Sequence, residues 1–270
     1  MSRTITLTTD FGTRDGYVGA IKGVIRALAP GVILEDITHD ITPGRVDEAA
    51  FVLENFHACY PPGTVHLVVV DPEVGSPRRA LAVVSAGRFY VGPDNGVLEI
   101  AFSTDEHFTC YELTNQTYHR KPVSRTFHGR DIFAPAAAHL AVGLSPEKLG
   151  GPINDPLRLE SPVAAAAAQP EEGQLTGHVV HVDRFGNLVT DIRERDLELI
   201  SPDKSRILVS CCGVEIEGVS DFYAQAEKGN FLALIGSSGR LEVALREGSA
   251  AKTLGDSARD ASIKIRKSTG

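Results

Sequence analysis

The amino-acid sequence predicts an α/β domain on a central, mostly parallel sheet, followed by a smaller, mainly antiparallel β domain. Three observations carry this expectation. Strand-like and helix-like apolar periods alternate through the first half of the chain. The run Val65–Val70 is uninterrupted and rich in β-branched residues, which suits a central strand covered on both faces. Beyond Gly173, short alternating runs follow one another between Gly, Asn and Ser turns.

Taken in order, Thr4–Thr9 alternates as a strand, and Val18, Ile21, Val24, Ile25 and Leu28 share one helical face until Pro30-Gly31 ends the helix. Val32–Ile37 is a second strand. A second helix follows Pro43, with Ala49, Val52, Leu53 and Phe56 inward, and Pro61-Pro62-Gly63 stops it. After Val65–Val70, the runs Ala80–Ser85 and Arg88–Val91 form a hairpin across Ala86-Gly87, and Pro93-Asp94-Asn95-Gly96 is a turn. A last helix runs from about Asp131, its expected N-cap, to Val142, and Gly143 closes it. Between Gly150 and Gly173, prolines, an Ala164–Ala168 tract and Glu171-Glu172 read as a connection between domains, with a short alanine helix as the alternative. The expected organisation is residues 1–160, a linker over 161–173, and 174–270. Strands are expected near Leu175–Val182, Leu188–Ile192, Ile207–Cys211, Phe231–Ile235 and Leu241–Leu245.

Composition narrows the function classes. The 270 residues are 42% hydrophobic and 23% charged, with a net charge of −8. That balance argues against a nucleic-acid partner, which needs a clustered excess of Lys and Arg. No run approaches the roughly 20 apolar residues of a membrane span, and the first residues carry no basic-then-apolar leader pattern, so a cytoplasmic protein is expected. Cys59, Cys110, Cys211 and Cys212 show no metal-ligand spacing and read as reduced. The nine histidines suggest no metal site either.

Four segments can carry chemistry. Thr9-Asp10-Phe11-Gly12, with Asp15 after it, sets carboxylates at a strand-to-helix crossing, where open α/β sheets bind ligands. Either carboxylate could instead cap the next helix, Asp15 more readily than Asp10. Asp71 leaves the buried strand, and an arginine about seven residues on can fold back to pair with it. Spacing does not choose between Arg78 and Arg79. His128, beside Gly129 and ahead of a helix, is a candidate imidazole of lowered proton affinity. In the second domain, Asp183-Arg184-Phe185-Gly186-Asn187 and Ser237-Ser238-Gly239-Arg240-Leu241-Glu242 combine a carboxylate, an aromatic ring, an amide and hydroxyls, although each is also a good β-turn.

Taken together, Leu7-Thr8-Thr9-Asp10-Phe11-Gly12, Val69-Val70-Asp71-Pro72 with Arg78, Gly92-Pro93-Asp94-Asn95-Gly96, Phe127-His128-Gly129-Arg130-Asp131, Asp183-Arg184-Phe185-Gly186-Asn187 and Gly248-Ser249-Ala250 resemble the S-adenosylmethionine hydroxide adenosyltransferases, or SAM hydrolases. That family is related to bacterial fluorinase and chlorinase. The resemblance implies a barrel-like C-terminal domain, a homotrimer with active sites at subunit interfaces, and hydrolysis of S-adenosyl-L-methionine to adenosine and L-methionine without a cofactor. It implies a water-holding triad of Asp71, Arg78 and His128, which selects Arg78 over Arg79. It also implies that Asp10 binds the ribose diol, that Asp183 and Ser237 bind the methionine end, and that Phe185 and Asn187 contact adenine. The chain departs from the pattern at Glu73, where relatives carry glycine, and at Gly44, where they place an aromatic residue before the position of Arg45. Two other functions compete. One is a non-catalytic adenosine or S-adenosylmethionine binding protein; the other is a halogenase, which an anionic Asp71 facing the halide would oppose.

Overall fold

A computed structural model describes residues 4–159, 173–259 and 261–268, so the expected linker and its alanine tract lie almost entirely outside the described residues. The chain divides into two compact units, Met1–Leu159 and Glu160–Gly270.

The first unit has the order β1 (Thr4–Thr9), α1 (Tyr17–Leu28), β2 (Ile33–Thr38), α2 (Val46–Phe56), β3 (Val65–Val69), β4 (Ala80–Ser85), β5 (Arg88–Pro93), α3 (Ile100–Ser103), β6 (Thr109–Glu112), α4 (Ala134–Ala141) and β7 (Pro152–Ile153). The sheet runs β2-β1-β3-β5-β4-β6-β7. Strands β2, β1, β3 and β5 are parallel neighbours, and β4, β6 and β7 continue the sheet by antiparallel pairing. The chain thus steps from β1 to β2 on one side, then crosses back to β3 on the other. This reversal makes the gap beyond the carboxyl ends of β1 and β3 a topological switch point, the usual ligand crevice of such sheets.

Alternation along the strands feeds two cores. Ile5 and Leu7 of β1 with Val65, Leu67 and Val69 of β3 pack on α1 and α4, through Ile21, Ile25 and the small residues Ala134, Ala137 and Ala138. Val68, Leu81, Val83 and Tyr90 face α2, through Ala49 and Leu53. Full burial of Ile21 and Ile25 stabilises the fold by about 1.5–3 kcal/mol each. The hairpin between β4 and β5 turns at Ala86 and Gly87, with φ of 46° and 73°, the positive pair that a tight two-residue hairpin requires.

Two expected caps are corrected. The N-cap of α1 is Gly16, and no side chain caps it, so Asp15 does not serve there. Asp131 is no N-cap either: it sits inside a wide turn over Gly129–Phe133 that precedes α4. Its side chain is claimed instead by Arg130 beside it and by Arg120 and Ser124 earlier in the chain.

The second unit is a seven-stranded sheet of β8 (Gln174–Val182), β9 (Leu188–Arg193), β10 (Ile207–Cys211), β11 (Val214–Glu217), β12 (Phe231–Ile235), β13 (Arg240–Leu245) and β14 (Ser262–Lys267). Its order is β11-β10-β14-β8-β9-β13-β12, antiparallel throughout, and a bridge from Ser220 to Leu234 brings its two edges together into a nearly closed barrel. All four cysteines are free.

Candidate active site

In register, Thr9 of β1 lies beside Val69 of β3, so the loops starting at Asp10 and Asp71 leave the sheet side by side at the switch point. A pocket of about 400 Å³ opens there, lined by Asp10, Phe11, Tyr17, Asp71 and the segment Thr126–Arg130, with Val69, Val74 and Ser124.

Arg78 donates from Nε to the Asp71 carboxylate at 2.9 and 3.0 Å, and from Nη2 to the same group. Nη2 also donates to Nδ1 of His128 at 2.9 Å. One guanidinium therefore joins the carboxylate to the imidazole. Both members of the ion pair are buried, each side chain being 5% exposed, and the guanidinium lies 5.2 Å from the Phe133 ring centroid. Because arginine only donates, Nδ1 of His128 must be unprotonated, which leaves the proton of the neutral ring on Nε2. Burial, reinforced by the facing guanidinium, holds the imidazole below its ordinary pKa.

The choice between Arg78 and Arg79 follows from the extended chain entering β4, where successive side chains point opposite ways. Arg79 is committed elsewhere, to Asp94 at 2.7 Å and to Asp155 at 2.7 Å. Asp94 belongs to the turn after β5. Its neighbour Asn95 donates to the carbonyl of Val70 at 2.9 Å, bracing the residue just before Asp71. The loop from Asp71 to Arg78 also fits tightly against the next wall: Gly75 has φ +84°, and a Cβ there would meet the Arg125 carbonyl oxygen at 2.2 Å. Only glycine satisfies both conditions, so Gly75 seats Asp71 near the His128 segment.

That segment is tied down by Asp131. Its fully buried carboxylate accepts from Arg120 at 3.1 Å, from Arg130 at 2.8 Å through both Nε and Nη2, and from the Ser124 amide at 2.9 Å. Burial alone would push its pKa up; the two guanidiniums and the amide outweigh that and hold it below the ordinary carboxylate value.

Asp10 accepts from the Gly44 amide at 2.9 Å. At φ +76°, Gly44 occupies backbone space that an aromatic residue adopts only with strain. The aromatic surface comes instead from Phe11, Tyr17 and Phe127, whose ring centroids lie 5.3–6.0 Å apart. Local spacing does not single out these rings as site residues, because Phe127 lies far along the chain from Phe11 and Tyr17. Glu73 is exposed and is not among the lining residues.

In the second unit, Asp183 builds a turn: Oδ1 accepts from the amides of Phe185 and Asn187 at 2.8 Å, and Oδ2 from the Asn187 side chain at 2.9 Å. Asn187 is buried and also reaches the Tyr223 hydroxyl at 3.3 Å, which in turn donates to Glu242 at 3.2 Å. Burial raises the pKa of Glu242, and burial with the adjacent carboxylates pushes Tyr223 up to about 12. Phe185 stands 75% exposed at the tip of the turn, and Ser237 is exposed between β12 and β13. Among the described residues, no group of three or more His, Cys, Asp or Glu side chains is placed to hold a metal ion, and no helix is long and apolar enough to cross a membrane.

Comparison with known proteins finds matches that span both units. The family model for the SAM hydroxide adenosyltransferase N-terminal domain matches residues 5–150, and that for the C-terminal domain matches residues 177–262. The (R)-S-adenosyl-L-methionine hydrolase of Thermus thermophilus is 37% identical over 261 residues, covering 94% of this chain and 96% of the relative. A fluorinase of Actinoplanes sp. is 27% identical over 220 residues, 72% of this chain and 73% of its own. Among solved structures, an uncharacterized conserved protein from Thermotoga maritima superposes with a TM-score of 0.88 at 34% identity, covering 97% of this chain and all of that one.

Proposed function

The chain belongs to the SAM hydroxide adenosyltransferase family, and from that premise we propose that it hydrolyses S-adenosyl-L-methionine to adenosine and L-methionine. The relative from Thermus thermophilus is named for the R epimer at sulfur, and we assign the same epimer to this enzyme. The observation that carries the mechanism is the single guanidinium of Arg78 holding both Asp71 and His128 at the pocket.

A water oxygen attacks the ribose 5′ carbon. The bond from that carbon to sulfur breaks, its electron pair neutralises the sulfonium, and methionine leaves as a thioether, so no general acid is needed. The enzyme must orient the water in line and receive its proton. The His128 tautomer divides these tasks. With Nδ1 occupied by Arg78, Nε2–H donates to the water's lone pair, and Asp71 accepts the proton. An anionic carboxylate at this position opposes a halide nucleophile and so favours hydrolysis over halogenation.

We further assign Asp10 to the ribose diol, supported by its place beside Asp71 at the switch point. By family resemblance, Asp183 and Ser237 would take the methionine end, and Phe185 and Asn187 the adenine, contributed by a neighbouring subunit of a homotrimer in the cytoplasm. Since Asp183 already accepts three hydrogen bonds within its own turn, its share of the binding includes holding Asn187 in place.

Chromatography of an incubation with S-adenosylmethionine tests the activity. Adenosine and methionine in equal amounts are expected; a halonucleoside formed in chloride, or unchanged substrate, would refute it. The pH dependence tests the tautomer. A neutral imidazole is required, because a proton on Nδ1 would set two cations against each other. Turnover should therefore be full above the ordinary imidazole pKa of about 6.5 and fall only as the pH drops through the lowered value of His128. The acid limb should vanish from the residual activity of His128→Gln; its persistence there would assign the titration to another group.

A further inference from the structure

Asp10, the proposed ribose ligand, belongs to a short segment that is held from outside the pocket. A shift in register between Leu7 and Thr8 pairs Thr8 with Thr38, where an unbroken ladder would pair it with Ile37. The shift moves the chain after β2 one residue along, so His39 comes level with Thr9. His39 is 6% exposed and does not line the pocket. Its Nδ1 shares a hydrogen bond of 2.8 Å with the Thr9 hydroxyl, and that hydroxyl accepts from the Phe11 amide at 3.3 Å. The His39 carbonyl accepts from the Gly12 amide at 2.7 Å. One residue thus grips both ends of the segment 9–12, with Asp10 and Phe11 between the two grips. The ring is itself braced. Nε2 lies 3.1 Å from the Asp36 carboxylate, an ion-pair contact without hydrogen-bond alignment, and Lys22 donates to the same carboxylate at 2.5 Å. Beside a carboxylate Nε2 keeps its proton, and in the neutral ring Nδ1 then accepts from the Thr9 hydroxyl.

We propose that His39 is a positioning residue for the ribose. Acting through Thr9, it sets where the Asp10 carboxylate meets the diol, and so contributes to the choice of ribonucleosides over deoxyribonucleosides. This rests on the assignment of Asp10 made above. A histidine that only filled the core would support the fold without touching that choice. A loosened segment 9–12 instead shifts Asp10 and weakens its contact with the sugar, while Asp71, Arg78 and His128 keep their own hydrogen bonds.

The test is kcat/KM for S-adenosylmethionine and for its 2′-deoxy counterpart, measured by nucleoside release. The parent enzyme should favour the ribose by about tenfold to a hundredfold, the worth of a hydrogen bond to a charged group. In His39→Ala that preference should fall at least about threefold, because a misplacement of about 1 Å can cost a positioned contact about a hundredfold. The loss should appear in KM more than in kcat. His39→Asn, whose amide can stand in for Nδ1 toward Thr9, should restore most of the preference. Thr9→Val removes the hydroxyl at nearly constant volume and should reproduce the His39→Ala loss, so it decides the matter if His39→Ala does not fold. Equal losses for both compounds, or an unchanged preference in His39→Ala and Thr9→Val, overturn the proposal. A parent with no preference would defeat the assignment of Asp10 itself, and this proposal with it. Should the parent release no nucleoside from either compound, the hydrolase reading fails, and calorimetric titration of both compounds against the same variants then gives the preference as a ratio of Kd values.

Discussion

Asp71→Asn is expected to lower kcat by about 10²–10⁴, the usual contribution of a positioned proton acceptor, with little change in KM. The substitution keeps the shape of the side chain at the tip of β3 and removes its charge and basicity. In the proposed site, substrate binding would draw on Asp10 and on the aromatic rings of Phe11, Tyr17 and Phe127, which line the pocket and which the substitution leaves in place. Loss therefore falls on the step in which water gives up a proton. Steady-state kinetics separates the alternatives: an equal loss through KM alone would make Asp71 a substrate holder.

Arg78→Met carries the second large effect, on stability as well as turnover. Asp71 and Arg78 are both about 95% covered, so removing the cation strands a buried carboxylate. Breaking a buried pair in this way costs about 3–5 kcal/mol. His128 simultaneously loses the donor that sets its tautomer, and kcat should fall at least as far as in Asp71→Asn. Denaturant unfolding of the single variants and of Asp71→Asn/Arg78→Met distinguishes the causes. Stability should partly return in the double variant, because no charge remains unpaired, while activity should not. Independent, additive losses would contradict coupling through one buried pair.

The elements that position this site were legible where the local pattern and the tertiary environment agree. The uninterrupted Val65–Val70 run announces a strand buried on both faces, and with it the exposed end at Asp71. The hairpin at Ala86-Gly87 and the helix ending before Pro30 follow from turn chemistry. The pairing of Arg78 and not Arg79 was not legible from spacing, because it depends on Asp94 and Asp155 capturing Arg79. Asp131 misleads for the same reason: its sequence position suits a cap, but Arg120 and Ser124 claim the carboxylate. Short strands such as β6 and the edge strand β7 hold too few residues for a period to register. β14 is different: Ile263 and Ile265 alternate into the core, but Lys264 between them and Arg266 after them mask the strand in a hydropathy reading.

Hydrolysis by this route requires that water, held between Asp71 and His128, attacks the 5′ carbon directly. A single turnover with excess enzyme in oxygen-18 water, followed by mass spectrometry of both products, addresses this most directly. One heavy oxygen in the adenosine and none in the methionine is the predicted result. Unlabelled adenosine, released at the normal rate, would mean that the oxygen came from the protein and would contradict it.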